Sequence, residues 1–430
     1  MSSEWPLVRL GDLISLKGGF AYKGDHLGSH GAVLLGMGVV SHSERFIKNG
    51  IRRYSGEIPS PHRVVAGDMV IATRQQSDNL PILGCPALVP TGLPSDEVVV
   101  GTNLYKVTNT SEVETQFLYW LLRGKEYQRR IVDCSKGTTV RMITKDAVED
   151  FCFLCPPSEI RKEITDLLDA IDNRITLLRE TNTALEAIAQ AMFKSWFVDF
   201  DPVHAKMQGR APECMDEATA ALFPDSFEES ALGAVPTGWN VVNIYEVAKV
   251  IYGAPFASKQ FKSDPHGKPL VRIRDLKDER PGVYTEEVHP KGYLLQPGDI
   301  TVGMDGEFRA YVWGGEEAWL NQRVCVFQPV NGANSVFVRL SIAPLLAAVE
   351  ASETATTVIH LGKNDIDRFK ILHPGGLLLK SFVSVTTPIY QRVVRNKQMI
   401  QNLAGLRDTL LPRLISGQLS VTQATAEADV

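Results

Sequence analysis

Apolar residues recur in alternating steps of four and three along one long segment of the chain. They form a sustained heptad from Ile164 to Trp196, in which Asn182 is the only polar residue. Ser158 precedes the repeat in a position typical of a helix N-cap. The pattern predicts a helix over 158–197, with Asn182 fixing the register of a helix pair.

A second and weaker heptad lies 218 residues downstream, from Phe382 to Leu414. Thr387 and Pro388 resemble an N-cap followed by proline at the first helical position, so this helix is predicted to start there and to end near Pro412. We expect three polar seam residues to weaken the pairing: Thr386, Asn396 and Arg407.

Outside the heptads, short β-branched runs alternate with Gly and Pro turns, as in Val64–Ile71, Val98–Val107 and Arg323–Gln328. Phe117–Ile131 and Val336–Val349 have helical spacing. Each of these regions is therefore predicted to be a mixed α/β (α+β) globule rich in strands.

The chain repeats itself. WPLVRLGDLISLKGG from Trp5 returns as WNVVNIYEVAKVIYG from Trp239, and GTTVRMITKDAVEDFCFLCPP from Gly137 returns as ATTVIHLGKNDIDRFKILHPG from Ala355. AGDMVIAT and PGDITVGM form a further pair, which places Arg74–Gln76 and Asp305–Phe308 in equivalent loops. The order globule, helix, globule, helix indicates two copies of one unit with pseudo-twofold symmetry.

These patterns predict six segments. They are a first globular domain (1–157), a central helical spacer (158–197), an acidic linker (198–236), a second globular domain (237–375), a distal helical spacer (376–416) and a flexible tail (417–430). The helices could each pack on their own globule as bundle helices. A helix of ~37 residues is ~55 Å long, however, which favours an antiparallel coiled coil that separates the globules.

Composition fits this organisation. The 430 residues are 44% hydrophobic and 22% charged, which is typical of folded proteins with more than one domain. The chain has no long apolar run and no apolar signal core at the N-terminus, so we expect a cytoplasmic protein without a membrane segment. The formal net charge is −5, and the segment 198–236, with 2 basic and 8 acidic residues, accounts for it.

No catalytic motif is found. The chain has no Asn-Pro-Pro string of an adenine methyltransferase, no phosphate-binding GxxxxGK[ST] and no paired His ligands. Cys152 and Cys155 form a CxxC without the second ligand pair that zinc needs, and the six scattered Cys are predicted to be reduced thiols. We expect a noncatalytic protein with no metal and no cofactor of its own.

Several strings resemble the DNA-specificity subunit of type I restriction-modification systems. They include FKSWFVDFDP from Phe193, PPSEIRKEI from Pro156, VRIRDL from Val271, GMDGEF from Gly303 and LRDTLLPRLISGQL from Leu406. The resemblance covers nearly the whole chain. It implies two target-recognition domains that each read one half of a split DNA site, joined by two helical regions that act as a ruler.

The resemblance also implies partners. These are double-stranded DNA, two methyltransferase subunits, and restriction subunits that drive translocation and cleavage; S-adenosylmethionine, ATP and Mg²⁺ would enter through those subunits. An alternative is a noncatalytic scaffold that binds proteins and not DNA. A self-sufficient methyltransferase is disfavoured by the missing motifs.

Under the resemblance, DNA would be contacted by Arg, Lys, Asn, Gln and Tyr side chains on loops of each globule. The alternative for Arg272, Arg274 and Arg323 is burial or a salt bridge within the fold. The candidates are Lys48, Arg52, Arg53, Arg74, Gln75 and Gln76 in the first domain, and Arg272, Arg274, Arg309, Tyr311, Asn321, Gln322 and Arg323 in the second.

The aromatic end of the first helix, Phe193, Trp196 and Phe197, has two interpretations. The rings either cap the helix pair or form a docking surface for a methyltransferase subunit. Docking is favoured because these residues belong to the string with the strongest family resemblance.

Overall fold

The structure is a computed structural model that describes residues 5–75, 82–137, 140–352 and 359–428. It divides into two compact units. Unit 1 comprises Met1–Arg174 and Leu403–Val430, and unit 2 comprises Ile175–Asn402. Each unit therefore contains one globule and one part of each long helix.

Unit 1 is a mixed unit of short strands and helices. Its strands are β1 (Leu7–Arg9), β2 (Ile14–Gly18), β3 (Leu27–Gly28), β4 (Ala32–Leu35), β5 (Arg52–Tyr54), β6 (Arg63–Val64), β7 (Met69–Ala72), β8 (Arg74–Gln75), β9 (Pro86–Leu88), β10 (Val98–Val100), β11 (Leu104–Asn109), β12 (Arg141–Met142) and β13 (Cys152–Leu154). Its helices are α1 (Thr115–Arg123), α2 (Lys125–Cys134), α3 (Lys145–Glu149) and the first part of α4 (Ser158–Phe197).

Unit 2 repeats this content. Its strands are β14 (Phe227–Ser230), β15 (Gly233–Pro236), β16 (Asn240–Asn243), β17 (Ala248–Tyr252), β18 (Lys268–Val271), β19 (Tyr284–Thr285), β20 (Leu294–Leu295), β21 (Ile300–Gly303), β22 (Ala310–Val312), β23 (Ala318–Leu320), β24 (Val324–Pro329) and β25 (Lys370–His373). Its helices are α5 (Asp201–Met207), α6 (Glu217–Ala221), α7 (Ser335–Ser352), α8 (Lys363–Ile366) and most of α9 (Gly376–Ile415).

The sheets of the two units correspond. Unit 1 has the orders β2-β11-β7-β9 and β3-β5-β4-β10-β6, and unit 2 has β17-β24-β21-β22 and β19-β18-β23-β20. The second sheet given for each unit contains one parallel pair, which is β4 with β10 in unit 1 and β18 with β23 in unit 2. A short pair joins the ends of each repeat, β1 with β13 and β16 with β25. The repeat in the sequence is thus a repeat of the fold.

The two long helices pair inside each unit through the predicted seams. In unit 2, Asn182 accepts a hydrogen bond from Asn396 at 2.8 Å, and Phe197 packs on Phe382 with ring centroids 4.9 Å apart. Residue numbers rise along α4 as they fall along α9, so the helices are antiparallel there. The α4 seam is buried at Ile164, Leu168, Ile171, Ile175, Leu178, Asn182, Ala189 and Trp196.

The distal helix differs from the prediction in two respects. It begins at Gly376, upstream of Thr387 and Pro388, because Leu378 and Phe382 are buried in the core of unit 2 and hold the preceding turns in place. Helix-interior proline costs ~3 kcal/mol, which such burial offsets. The polar seam residues are also partnered: the hydroxyl of Thr386 donates to Phe382 O at 2.8 Å.

The acidic segment 198–236, predicted as a linker, is folded. It contains α5, α6 and the β14–β15 hairpin; Val203 and Phe223 lie in the core of unit 2, and Val235 is buried. The acidic side chains of this segment are therefore exposed, whereas the apolar side chains just named are buried. The tail contains α10 (Val421–Ala428), and Leu419 and Ala424 are buried.

Within the described residues, only α7 is long and apolar enough to cross a membrane. Its buried residues Val336, Phe337 and Ile342 pack in the core of unit 2. That position is common for the core helix of a globular unit, and composition alone is weak support for a membrane span.

Candidate nucleic-acid interface

Strand ends of unit 1 meet at one edge of the fold. Gly101 N donates to Leu35 O at 2.9 Å, Thr73 N donates to Asn103 O at 2.9 Å, and Ile143 N donates to Thr73 O at 3.1 Å. These bonds join four loops that are far apart in sequence. We define the first loop edge as residues 36–54, 73–75, 101–103 and 141–143.

Unit 2 has the same three bonds. Asn321 N donates to Val271 O at 3.1 Å, Met304 N donates to Arg323 O at 2.8 Å, and Leu361 N donates to Met304 O at 2.8 Å. We define the second loop edge as residues 272–275, 304–309, 321–323 and 359–361. Thr73 and Met304 occupy matching positions, so the loops that follow them are equivalent, as the repeat predicts.

Close backbone contacts lock both edges in place. A Cβ on Gly19 would lie 1.8 Å from the oxygen of Gly101, and a Cβ on Gly253 would lie 2.0 Å from the oxygen of Asn321. No side chain fits at either distance, so only glycine allows the β2 and β17 ends to approach so closely. The same requirement explains why both glycines stand at the same point of the repeat.

Each edge also contains a left-handed residue in the matching turn. Asn103 and Arg323 both have φ of 69°. Asparagine adopts this conformation readily, whereas for arginine it costs about 1 kcal/mol or more. The turn of the second loop edge is thus held in a strained conformation by its surroundings.

The candidate side chains of unit 1 divide by exposure. Lys48 and Arg52 are exposed, Arg53 and Arg74 are half-buried, and Gln75 is buried with its Oε1 accepting from Leu83 N at 3.3 Å. Lys48 and Arg52 are therefore accessible to a ligand, whereas Gln75 makes a hydrogen bond within the fold. Gln76 lies outside the described residues.

Three of the candidate arginines in unit 2 face carboxylates. Arg272 Nε donates to Asp275 at 3.1 Å, Arg309 Nη1 donates to Glu350 at 2.7 Å, and Arg323 lies 3.8 Å from Asp305. The hydrogen bond to Glu350 raises the pKa of Arg309. Arg272 is consequently held by an ion pair within the fold, which is the alternative that the sequence left open for it, whereas Arg309 pairs with Glu350 at the surface.

The remaining candidates of unit 2 lie at or beside the second loop edge. Arg274 and Gln322 are exposed. Asn321 is half-buried, and its Oδ1 accepts from Gln322 N at 2.9 Å. Tyr311 lies farther along the β21–β22 pair opposite Thr301, where burial raises the pKa of its hydroxyl. The edge thus presents Arg274, Gln322 and the half-exposed Arg323.

One residue of the first loop region escaped the sequence analysis. The ring of Tyr22 lies under the guanidinium of Arg52, with the Arg52 Cζ 5.5 Å from the ring centroid. Tyr22 lies three residues beyond the end of the paired string at Gly19, and its position in the sequence gives no sign that its ring meets Arg52.

The aromatic end of α4 belongs to the core. Trp196 and Phe197 are buried, and Phe193 is half-buried among Phe197, Phe337 and Phe382. These rings cap the helix pair of unit 2, which was the other interpretation of the string. Their burial leaves little ring surface for a partner, which argues against docking through these three rings.

No site for a metal was found in the part of the chain that the structure describes: no three His, Cys, Asp or Glu residues group there. Cys152 is exposed and Cys155 is buried, and both are free thiols. The chemistry at the two edges is hydrogen-bond donation by cations and amides.

The family model described as the type I restriction modification DNA specificity domain matches residues 2–187 and 236–375. One match falls on each copy of the repeat. The chain belongs to this family. Both loop edges lie within the matched regions.

Individual relatives agree with this assignment. The specificity subunit of the type I restriction enzyme HindI from Haemophilus influenzae is 26% identical over 391 residues, covering 75% of this chain and 82% of that protein. The MjaIX specificity subunit from Methanocaldococcus jannaschii is 23% identical over 328 residues, covering 72% of this chain and 70% of that protein. The crystal structure of the S subunit of a type I restriction-modification system from M. genitalium has a similar fold, with a TM-score of 0.54 at 15% identity over 96% of each chain.

Proposed function

We propose that this chain is the DNA-specificity subunit of a type I restriction-modification complex, in which each unit reads one half of a bipartite site. The observation that carries the proposal is the family match over both copies of the repeat, with a matching loop edge in each. Recognition of base edges needs hydrogen-bond donors on rigid loops, and both edges supply them.

The two half-sites are expected to differ in sequence. The frames of the edges are alike, but the exposed side chains are not: unit 1 presents Lys48 and Arg52, whereas unit 2 presents Arg274, Gln322 and Arg323. Different donors read different bases. The complete site is therefore asymmetric.

The helices α4 and α9 would set the number of base pairs between the half-sites. Insertion of one helical turn in both helices is expected to change that gap and to leave both half-site sequences unaltered. A changed half-site sequence in such a variant would contradict this assignment of the helices.

The chain itself would be noncatalytic and cytoplasmic. Two methyltransferase subunits would supply S-adenosylmethionine chemistry, and restriction subunits would supply ATP- and Mg²⁺-dependent translocation and cleavage. The low net charge of −5 supports this division, since partner subunits would then contribute much of the phosphate neutralisation. Nanomolar sequence-specific binding by the isolated chain would contradict that division.

The decisive experiment maps adenine methylation across the genome of cells that carry this chain with its methyltransferase partner, against cells that lack the chain. A split motif that appears only with the chain is the expected result, and it gives both half-sites and the gap. If the partner is active and no new motif appears, the result favours a scaffold, or a subunit whose recognition domains no longer bind DNA.

A further inference from the structure

Arg52 occupies a defined place at the first loop edge. It is the first residue of β5 and lies opposite Leu34 of β4, next to the end of that strand. Its Nη2 lies 3.0 Å from the position that a Cβ on Gly36 would take. The guanidinium therefore lies over the backbone of Gly36, where a side chain would crowd it.

The direction of the guanidinium is set by an aromatic ring. Tyr22 lies 5.5 Å from the Arg52 Cζ, and its own ring packs edge-on against Phe20 and Tyr54, with centroids 6.2 and 6.1 Å away. Stacking on a ring face holds the plane of a guanidinium and leaves the N–H groups at its rim available. The side chain is thus oriented before any ligand arrives.

Arg52 differs in its hydrogen-bond partners from two other candidate arginines. Arg272 and Arg309 donate to carboxylates of their own unit. Within the described part of the chain, no hydrogen bond or ion pair of Arg52 was found, and its side chain is exposed. Its donors face solvent while its guanidinium lies over the Tyr22 ring.

A phosphate contact would not need this arrangement. Phosphate is bound well by a point charge on a flexible stem, as Lys48 provides on the 3-10 turn just before β5. A planar guanidinium held at a fixed angle matches the O6 and N7 acceptors of guanine in the major groove. The stacked geometry favours base recognition over phosphate binding.

The second unit has no side-chain donor at the position that matches Arg52. A Cβ on Gly31 would meet Tyr54 O at 2.2 Å, and a Cβ on Gly267 would meet Thr285 O at 2.3 Å, so Tyr54 and Thr285 correspond. Arg52 then corresponds to Val283, which carries no hydrogen-bond donor. A contact made by Arg52 belongs to one half-site alone.

We propose that Arg52 reads a guanine in the half-site of unit 1 and that Tyr22 is its positioning residue. The proposal rests on the proposed function and adds the base and the side chain that selects it. Tyr22 acts through Arg52 and touches no base.

The test uses the complex of the full chain with its methyltransferase partner, acting on DNA libraries in which each position of the mapped site is varied in turn. Arg52→Ala is expected to reduce the preference for guanine at one position of one half-site by about 5- to 150-fold, while the other half-site is unchanged. Arg52→Lys, which keeps the charge without the planar fork, should also reduce that preference.

Matched variants separate positioning from charge and from folding. Tyr22→Phe keeps the ring and should keep the motif, whereas Tyr22→Leu should relax the same base that Arg52→Ala relaxes. Lys48→Ala should weaken methylation evenly across sequences. Arg63, whose guanidinium pairs with Glu97 on the same sheet, serves as the control, and Arg63→Ala should keep the motif.

Two results would overturn the proposal. One is an Arg52→Ala complex that methylates all sites more weakly with an unchanged motif, which makes Arg52 a phosphate contact. The other is an unchanged motif at unchanged rate in both Arg52 variants. A failure of the proposed function looks different, because the wild-type complex would then show no sequence preference at either half-site.

Discussion

Arg407 and Asp172 form a buried ion pair between the two long helices within unit 1. Arg407 Nη1 donates to Asp172 Oδ1 at 2.6 Å, and the two side chains are 2% and 4% exposed. Arg45 adds a second donor to Asp172 at 2.7 Å, and it also pairs with Asp169 at 2.6 Å. An arginine that breaks the apolar heptad is therefore matched by a carboxylate on the facing helix.

The two partners of this pair should not be equally costly to remove. Among the described residues, Asp172→Leu leaves the buried Arg407 paired with the half-exposed Asp408 alone, and the substitution should lower the free energy of unfolding by about 3–5 kcal/mol. Arg407→Met should cost less, because Arg45 still neutralises Asp172. Urea unfolding of both variants and the double variant gives the comparison; an equal or larger loss for Arg407→Met would contradict it.

The buried amide pair Asn182 and Asn396 should behave as one polar unit. Asn396→Leu removes the donor to Asn182 Oδ1 and should cost about 1–3 kcal/mol. Replacing both by Leu should recover most of that loss, since no polar group is then left without its partner. A double-mutant cycle by urea unfolding checks this, and strictly additive losses would show that the amides act independently.

Adjacent glycines at the end of β2 offer a matched pair. Gly19→Ala places a methyl group 1.8 Å from Gly101 O and should cost about 1–3 kcal/mol or more, with loss of methylation through the half-site of unit 1. Gly18→Ala meets no described atom within 4 Å and should stay within about 0.5 kcal/mol. Thermal unfolding and methylation mapping together give the answer, and equal behaviour of both variants would be inconsistent with a locked edge.

Asp299 should give unit 2 a pH dependence of known sign. Burial raises the pKa of Asp299, although Gln296 N and the Tyr293 hydroxyl donate to its Oδ2 at 2.8 and 2.9 Å. The folded state then binds more protons than the unfolded state above the ordinary Asp pKa of about 3.9, so the contribution of Asp299 to stability falls as pH rises through that window.

Asp299→Asn removes this titration. The unfolding free energy of the variant relative to the original chain should rise from about pH 4 and level off above the raised pKa, as measured by urea unfolding at several pH values. Tyr293→Phe removes a donor that favours the carboxylate and should steepen the dependence. A relative stability that falls or stays flat with pH would contradict this account.

Much of the fold follows from local pattern. The heptad and Ser158 were sufficient to predict α4, because a seam of apolar residues at helical spacing has few other uses. The repeat predicted that the loops after Thr73 and Met304 are equivalent, since paired strings fold alike. The start of α9 was not predictable, because burial of Phe382 by distant residues extends the helix upstream of the local start signal at Thr387 and Pro388.

The candidate site was less predictable for the same reason. The Arg272 pair with Asp275 spans three residues and could be suspected from sequence, but Glu350 reaches Arg309 from a separate helix. Similarly, Gln75 was a candidate DNA contact, but it is buried and its Oε1 accepts a hydrogen bond from Leu83 N. Whether a polar side chain serves the fold or a ligand is decided by tertiary neighbours, which one sequence does not show.

The bonds that hold the two loop edges together are made by main-chain atoms, which every residue but proline supplies in full. Substitution of an exposed side chain such as Arg52 or Gln322 therefore leaves the main-chain hydrogen bonds of the loop edges intact. Point substitutions of this kind would change the sequence recognised at one half-site and leave the other half-site as it was. New methylation patterns could then arise in evolution without passing through a protein that does not fold.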